Sequence, residues 1–357
     1  MTAAFTDKMK KYSSIFLLFL ASTFQAQVRH VWSKNEAATW YKEQGWIVGC
    51  NFIPSTAINE IEMWQPDTFD PITINRELGW AHSIGMNTVR VFLHYIPWRS
   101  DSIGYTRRLE EFLTIGERNA IRTIFVFFDD CWNNDPHPGK QPDPRPGIHN
   151  SGWVQCPGKT MHDKRETWND LKKYEQGILK RFKTDKRILM WDLFNEPGNS
   201  NYGSSSMALL KSSFAWAWEI RPLQPITAGI WYENRELNQW QLDNSDVITF
   251  HSYDSAAEVE SEIIELKQTG RPVICTEYMA RTRGSKFQTH LPIFKKYLVG
   301  AINWGLVAGK TNTIYQWGVP VADGSEPKIW FHDIFRKDGE PFDREEVRFI
   351  SEITGAK

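Results

Sequence analysis

The sequence has almost no net charge and few cysteines. Lys and Arg total 42 against 43 Asp and Glu, a formal net charge of -1. A nearly neutral chain lacks the broad field that attracts nucleic acid or anionic lipid, so neither partner is expected. The four cysteines form no CxxC pair and no Cys/His spacing typical of zinc, and no metal or cofactor is predicted.

Long apolar runs are also missing, and the run at 15–21 is too short to cross a membrane. Basic residues precede it and a small residue, Ala26, follows it, a pattern typical of a cleavable signal peptide over 1–26. Translation could start at Met9, and a plain N-terminal extension is the alternative. We expect export to the periplasm or the outside of the cell, no stable membrane insertion, and a catalytic domain over 27–357.

No glycine-rich phosphate loop follows an early strand, which disfavours an open doubly wound sheet. No linker or internal repeat divides the chain.

Short runs rich in β-branched and aromatic residues alternate with helical patterns, as in repeated βα units. The predicted strands are 46–51, 88–93, 123–128, 188–194, 226–231, 247–251, 273–277 and 301–306. The predicted helices are 74–83, 107–119, 164–182, 206–220, 256–268, 288–298 and 344–353. Eight such units predict an α/β fold, a single (β/α)8 TIM barrel.

One irregular segment, 129–160, is long and rich in Pro, Gly, Asp and His. It follows the third strand and therefore lies on the C-terminal face, where barrel active sites are found. We expect it to form a wall or lid of a cleft, which favours a pocket and short substrates or chain ends. Cys131 and Cys156 bracket the segment and are the pair best placed for a disulfide, whereas Cys50 and Cys275 are predicted to be buried thiols.

Seventeen tryptophans are several times ordinary usage, and flat aromatic faces suit the apolar faces of sugar rings. Most are expected in the core or at its margin. Trp132 and Trp153 flank the long segment and could either stack on a sugar or pack the segment onto the barrel. The histidines of the segment show no ligand spacing and are expected to be solvated; they are His137, His149 and His162.

Two glutamates end apolar strands, Glu196 on strand four and Glu277 on strand seven, about opposite each other in an eight-strand barrel. Buried carboxylates are costly, so they are either hydrogen-bonded structural residues or a catalytic couple. A nearby Arg90 would favour the ionised form of Glu277, and burial would keep Glu196 protonated. Asp192, deeper in strand four, is interpreted as structural.

The strand ends resemble those of the clan A glycoside hydrolases, and family five most closely. The matching motifs are Asn-Thr-Val-Arg90-Val on strand two, Asn195-Glu196-Pro197 on strand four, His251-Ser-Tyr253 on strand six, Ile-Cys-Thr-Glu277-Tyr on strand seven and Trp304 on strand eight. The resemblance covers the chain from about residue 46 to 354.

That resemblance implies roles for the matched residues. Glu196 would be the acid/base and Glu277 the nucleophile. Asn195 would bind the 2-hydroxyl of the sugar in the −1 site, Tyr253 would hydrogen-bond the nucleophile, and Trp304 would form the floor of the sugar site. Arg90 and His251 match further binding residues of the family.

One departure concerns the end of strand three, where the family usually has histidine and this chain has Asp129 and Asp130. These carboxylates could bind sugar hydroxyls or a structural ion. Three more residues are candidate substrate contacts. They are His94 at the rim, Trp132 in the long segment, and Trp317 as an alternative platform to Trp304.

The sequence therefore predicts a secreted retaining β-glycosidase that acts on a poly- or oligosaccharide without a cofactor. A transglycosidase is the closest alternative. A carbohydrate-binding barrel without activity is disfavoured because both glutamates are present. A metal-dependent hydrolase using Asp129, Asp130 and His251 is the third alternative, and it would lose activity on chelation.

Overall fold

The structure, a computed structural model, describes residues 31–356. The predicted signal peptide over 1–26 and the alternative start at Met9 lie outside the described residues. Within residues 31–356, no helix combines the length and the apolar character needed to cross a bilayer.

Eight parallel strands form one sheet with the order β5-β4-β3-β2-β1-β8-β7-β6. The strands are β1 (Val48–Asn51), β2 (Thr88–Phe92), β3 (Arg122–Asp129), β4 (Ile188–Asn195), β5 (Ile226–Thr227), β6 (Ile248–His251), β7 (Val273–Glu277) and β8 (Gly300–Trp304). β1 pairs with β8, and the two remaining edges meet through a bridge between Ile230 and Phe250. The sheet is therefore a nearly closed barrel, and the predicted (β/α)8 fold is confirmed.

The fifth strand is shorter than predicted. Only Ile226 and Thr227 form a ladder, although Ile230 still exchanges backbone bonds with Thr249 and His251 of β6. Gly229 separates the two pieces and has no side chain to pack, which weakens a strand locally. β5 and β6 are consequently paired through the bridge between Ile230 and Phe250 and not through a regular ladder.

Helices connect the strands along the outside. They are α1 (Lys34–Gln44), α2 (Glu60–Trp64), α3 (Pro71–Ser83), α4 (Tyr95–Ser100), α5 (Ser102–Arg118), α6 (Lys159–Asp163), α7 (Trp168–Phe182), α8 (Met207–Ile220), α9 (Arg235–Asn244), α10 (Ala256–Leu266), α11 (Phe287–Tyr297) and α12 (Arg344–Thr354). Ser33 and Ser255 begin α1 and α10 with capping boxes, which satisfy the first free N–H groups. The sequence did not predict α9, because it buries only Leu237 and Gln241 and so lacks a longer apolar repeat.

The lower part of the barrel is apolar. Ile124, Met190, Ile274 and Ile302 come from four strands and form one buried cluster with Ala37 of α1. Polar side chains are instead concentrated toward the C-terminal ends of the strands. The site therefore lies above a packed, dry layer, as in other barrels of this type.

Two long segments without regular helices or strands lie on the C-terminal face. We call residues 130–158, after β3, the β3 loop, and residues 305–343, after β8, the β8 loop. The first was predicted and the second was not. Asn150 N donates to Thr311 O at 2.8 Å, and Val321 N donates to Gly147 O at 3.0 Å, so the two loops are joined.

The expected disulfide between Cys131 and Cys156 is wrong, because all four cysteines of the described chain are free thiols. The two thiols have different partners: Cys156 Sγ accepts from Tyr95 N, while Cys131 Sγ donates to Glu196. Cys50 and Cys275 are buried thiols, as predicted.

Candidate active site

A cleft of about 700 Å³ opens at the C-terminal ends of the strands. Its walls come from β3 to β8 and the segments that follow them. Of the predicted site residues, nine line the cleft; they are Asp129, Trp132, Asn195, Glu196, His251, Tyr253, Glu277, Trp304 and Trp317. The strands thus bring together residues that are up to 188 positions apart in the sequence, from Asp129 to Trp317.

Glu277 is the last residue of β7 and points into the cleft. Its Oε1 accepts a hydrogen bond from Arg90 Nη1 at 3.0 Å, and its Oε2 accepts one from the Tyr253 hydroxyl at 2.8 Å. Both oxygens are therefore fixed, one by a cation and one by a phenol. Hydrogen bonds from a charged donor are the stronger kind and hold a carboxylate in one orientation.

Glu196 follows β4 directly and has a positive φ of 44°, which is unusual for a residue other than glycine. The next residues, Pro197 and Gly198, turn the chain so that Asn199 N bonds back to Glu196 O at 3.0 Å. A Cβ on Gly198 would lie 2.4 Å from the Tyr232 hydroxyl. Strained backbone of this kind persists where surrounding contacts determine it, and it is common at active sites.

The carboxylate of Glu196 has different neighbours from that of Glu277. Its Oε2 accepts from Asn199 Nδ2 at 2.6 Å and from the Cys131 thiol at 3.2 Å. Its Oε1 lies 2.9 Å from His251 Nδ1, which is also 3.6 Å from Glu277 Oε2. One oxygen of each glutamate and a nitrogen of His251 all lie within 4.8 Å of one another. The two carboxylates therefore face each other across a space that could hold a reacting atom.

Burial controls the proton affinity of these groups. It raises the pKa of Glu196, and it raises the pKa of Glu277, where the nearby Glu196 charge adds and the Arg90 charge opposes. Burial lowers the pKa of His251 to about 4, so its imidazole is neutral near pH 7. Because Arg90 contacts Glu277 directly, a single proton shared by the two carboxyls is better placed on Glu196.

Arg90 itself is fully buried and lies beneath the two glutamates. Its guanidinium donates to Asp192 at 3.0 Å, to Asn51 at 2.8 Å and to Asn195 at 2.7 Å, besides Glu277. Asp192 is a buried hydrogen-bonded residue of the lower site, as the sequence predicted. Arg90 therefore acts on the cleft through Glu277 and Asn195, since it does not itself line the cleft.

The acidic pair after β3 divides into two roles. Asp129 lines the cleft, accepts from Asn195 Nδ2 at 2.9 Å and from Trp153 Nε1 at 2.8 Å, and so fixes the amide of Asn195. Asp130 faces away from the cleft and accepts from Gly198 N at 2.9 Å. The prediction that Asp130 binds substrate is therefore wrong: its carboxylate fastens the turn that carries Glu196.

The sequence-based prediction that His94 lies at the rim of the cleft is also wrong. It is fully buried, its Nδ1 accepts from Ile96 N as the N-cap of α4, and its Nε2 lies 3.0 Å from Gln155 O. A helix cap with both ring nitrogens bonded has no group left for a sugar. The spacing of four from Arg90 places His94 beyond the end of β2 and behind the β3 loop.

Aromatic side chains surround the carboxylates. Trp304, at the end of β8, and Trp317, in the β8 loop, are half-buried and line the cleft, so both platforms that the sequence suggested are present. Trp132 is 41% exposed at the rim. Trp153 is buried and packs the β3 loop onto the barrel, since its indole bonds to Asp129.

The expectation that the loop histidines are solvated holds for one of them. His137 is exposed beside Asp135, whereas His149 and His162 are buried. His149 lines the cleft between the two long loops, where its ring packs near Trp132 and Trp317.

Two residues near Glu196 were missed by the sequence reasoning. The sequence spacing predicts a disulfide for Cys131 and indicates no role for Asn199. A signal for Asn199 was present, because a Pro-Gly pair at the centre of a turn brings the flanking residues together, here Glu196 and Asn199. Nothing in the sequence distinguishes Cys131 from the other thiols.

The chemistry of the cluster bears on the alternative of a metal enzyme. Within residues 31–356, the ligand atoms of Glu196, His251 and Glu277 lie close enough together to hold an ion. Arg90 and Tyr253 already donate hydrogen bonds to Glu277 in the same place, however, and a second cation would have to compete with the guanidinium. Asp130, which the metal hypothesis required, points elsewhere.

A barrel with a carboxylate pair and tryptophans at its C-terminal face is the architecture of a glycoside hydrolase. The sequence model for Cellulase (glycosyl hydrolase family 5) matches residues 59–309, so the chain belongs to glycosyl hydrolase family 5 and is an O-glycosyl hydrolase. No curated protein sequence matches the chain significantly.

Solved structures with the same fold share little sequence with this chain. A GH5_18 protein from Streptomyces cattleya in complex with GlcNAc has a TM-score of 0.60 at 11% identity, over 87% of this chain and 80% of that one. The endo-1,4-β-D-mannanase from Thermotoga petrophila RKU-1 has a TM-score of 0.55 at 15% identity, over 87% and 99%. The exo-β-1,4-mannosidase from Opitutaceae bacterium strain TAV5 has a TM-score of 0.59 at 15% identity, over 87% and 59%.

Proposed function

We propose that this protein is an exported retaining β-glycosidase that hydrolyses O-glycosidic bonds of a poly- or oligosaccharide, with Glu196 as the acid/base and Glu277 as the nucleophile. One observation carries the proposal: oxygens of the two carboxylates lie within 4.8 Å. Retaining enzymes hold their carboxyl groups about 5–5.5 Å apart, whereas inverting enzymes need about 6.5–9.5 Å to admit a water.

In the first step, protonated Glu196 donates its proton to the glycosidic oxygen while the Glu277 carboxylate attacks the anomeric carbon. The bond from that carbon to the oxygen breaks, the alcohol leaves, and an ester to Glu277 forms. Arg90 and Tyr253 hold both oxygens of Glu277, which favours the ionised form that this attack requires.

In the second step, ionised Glu196 removes a proton from water, and the water oxygen attacks the anomeric carbon. The ester bond breaks, Glu277 is released as a carboxylate, and Glu196 regains its proton. Asn195 is the proposed partner of the sugar 2-hydroxyl, because Arg90 and Asp129 fix its amide at the cleft. Trp304 and Trp317 provide faces for the ring, and Trp132 is a rim contact.

The test separates the two glutamates. Glu277→Gln should abolish turnover of every substrate. Glu196→Ala should spare aryl glycosides with good leaving groups and regain rate with azide, giving a β-glycosyl azide. Glu340→Gln, at an exposed ion pair, is the matched control. Full activity in both cleft variants on a substrate that the wild type cleaves would eliminate this carboxylate pair.

The substrate screen uses aryl β-glycosides of glucose, mannose, galactose and xylose. The mannoside comes first, because two of the similar structures are named as a mannanase and a mannosidase. Each assay is repeated with a chelator. Retained activity agrees with a carboxylate mechanism, and loss of activity restored by a divalent ion would favour a metal at Glu196, His251 and Glu277.

Export is proposed from the N-terminal pattern over 1–26 and is tested separately. Expression of the full chain in a Gram-negative host, followed by N-terminal sequencing of the mature protein, should find a start close to residue 27. An intact N-terminus in the cytoplasmic fraction would contradict it.

A further inference from the structure

The β3 and β8 loops form a continuous wall along one side of the cleft. Besides the two backbone bonds already described, Asn312 Nδ2 donates to Arg145 O at 2.9 Å. Gly147, at the junction, has a φ of 72°, and a Cβ there would lie 1.9 Å from Val321 O. The loops therefore approach so closely that only glycine fits between them.

His149 of the β3 loop joins the two loops by hydrogen bonds at the surface of the cleft. His149 Nδ1 lies 2.8 Å from Tyr315 O, and Trp317 Nε1 donates to His149 Nε2 at 3.0 Å. Because Nε2 must accept, the ring proton is on Nδ1 and is donated to the carbonyl. Burial lowers the pKa of His149 to about 4, which keeps the ring in the neutral form that this arrangement requires. The wall is thus held by side chains as well as by backbone.

Behind the wall there is almost no space. The Trp153 indole lies edge-on to Phe92 of β2, at 5.0 Å between centroids, and to Trp304 of β8, at 5.6 Å. It therefore covers the end of β1, which lies between those two strands. The cavity left between this indole and the strand ends measures about 20 Å³. A single water needs about 10–15 Å³, so a sugar ring cannot enter.

The position of Glu196 identifies which side of the substrate meets this wall. An acid/base on β4 protonates the oxygen of the leaving group, so the leaving group lies on the β4 side. In the eight-strand order, β8 lies opposite β4. The non-reducing end of the −1 sugar must then point toward Trp304 and the joined loops. Among the residues that the structure describes, none from β1 or β2 lines the cleft.

We infer that the cleft holds one sugar on this side, so the enzyme removes single sugars from the non-reducing end of a β-linked oligosaccharide. The inference rests on the proposed roles of Glu196 and Glu277. On the opposite side, Asn199, Asn201 and Trp231 line the cleft and are at least partly exposed, so a longer chain can leave in that direction. The wall thus determines where the chain is cut, and the carboxylates determine how.

The experiment compares p-nitrophenyl β-glycosides of one sugar and of the corresponding β-1,4-linked disaccharide, for glucose and for mannose. Early products are separated by chromatography. Cleavage of the disaccharide substrate should give a monosaccharide and the aryl monoglycoside. Disaccharide with free p-nitrophenol as the first products would overturn the inference while leaving the glycosidase intact. No cleavage of any substrate in the wider screen would instead remove the proposed function itself.

Loop variants test the wall directly. Gly147→Ala forces the two loops apart, and it should raise the ratio of disaccharide to monosaccharide release at least tenfold. Gly139→Ala is the matched control, because Gly139 has a φ of 86° in the same loop but no atom within 4 Å of its added Cβ. It should keep the wild-type ratio. A folded Gly147→Ala protein with the wild-type ratio would contradict the inference. If that variant does not fold, Gly324→Ala replaces it, since its Cβ would lie 2.6 Å from Pro146 Cβ.

Discussion

Glu277 accepts hydrogen bonds from a guanidinium and a phenol, whereas Glu196 accepts them from a thiol and an amide. Both carboxyls lie in one cleft with side chains only 13% and 6% exposed, and burial raises the pKa of each. Burial therefore does not distinguish them. The charged donor beside Glu277 does, since only a cation stabilises an ionised carboxylate strongly in a site with little water.

The donors to Glu277 and the donors to Glu196 also lie on different parts of the fold. Arg90 is in the middle of β2, and Tyr253 follows β6 by two residues, so the strands position the partners of Glu277. Cys131 and Asn199 are in loops after β3 and β4. A nucleophile must be held in one geometry, whereas an acid/base gives up and regains a proton in each cycle. The rigid partners are thus on the carboxylate whose position matters most.

The largest expected effect comes from removing the charge that makes the two carboxylates unlike. Arg90→Met leaves Asp192 and Glu277 buried without a counter-charge, and it removes a donor to Asn195. We expect the free energy of unfolding to fall by about 3–5 kcal/mol, as when one partner of a buried ion pair is lost. Turnover should fall by about 10²–10³-fold or more. Urea unfolding and kcat/KM on an aryl glycoside measure the two effects.

The control for Arg90 is an arginine on the surface. Arg344 pairs with Glu340, and the two side chains are 81% and 59% exposed. Arg344→Met should change the free energy of unfolding by less than about 1 kcal/mol and leave kcat/KM unchanged. If Arg90→Met behaved like Arg344→Met, the charge of Arg90 would not be what separates the two glutamates.

A smaller change weakens only the second donor to Glu277. Tyr253→Phe removes a hydrogen bond to the charged form, so the pKa of Glu277 should rise and the acid limb of the kcat/KM profile should move to higher pH. A hydrogen bond to a charged group is worth about 1.5–3 kcal/mol, so kcat/KM should fall about 10- to 100-fold. The profile is measured from pH 4 to 9.

Tyr297→Phe makes the same change on α11, where the phenol donates to Glu260 on the surface. It should leave both limbs in place. An acid limb that stays fixed in Tyr253→Phe would mean that Glu277 is not the group that must lose its proton.

Only part of the contrast between the two carboxylates could be predicted from the sequence. Arg90 and Glu277 lie on strands, and strand ends converge in a barrel, so their proximity could be predicted from strand order. The hydrogen bond from Tyr253 to Glu277 is implied only by the resemblance to family five. The order of strand and helix patterns also predicted the fold. Loop residues could not be placed in this way, because no repeating pattern fixes where a loop side chain points.

Those loop residues account for the errors at the site. Cys131 and Cys156 were paired because they bracket one segment, but sequence spacing does not report the direction of a side chain. Asp130 and His94 have the chemistry of sugar ligands, yet backbone N–H groups of a turn and of a helix start are their partners. Local backbone donors that need an acceptor compete for such side chains and are hard to foresee.

The smallest effect is expected from removing the weakest donor to Glu196, which is the Cys131 thiol. Cys131→Ala removes the thiol hydrogen bond, which stabilises the ionised form, so the pKa of Glu196 should rise and the alkaline limb should move to higher pH. The acid limb should stay in place, in contrast to Tyr253→Phe. Because a thiol is a weak donor, its hydrogen bond to the carboxylate is worth about 0.5–1.5 kcal/mol, which corresponds to about a 2- to 10-fold change in kcat/KM. Cys156→Ala is the matched control, since it removes another buried thiol, whose partner is Tyr95 N and not Glu196. Because loss of packing alone would not shift a pH limb, equal profiles for the two variants would show that Cys131 is only a core residue.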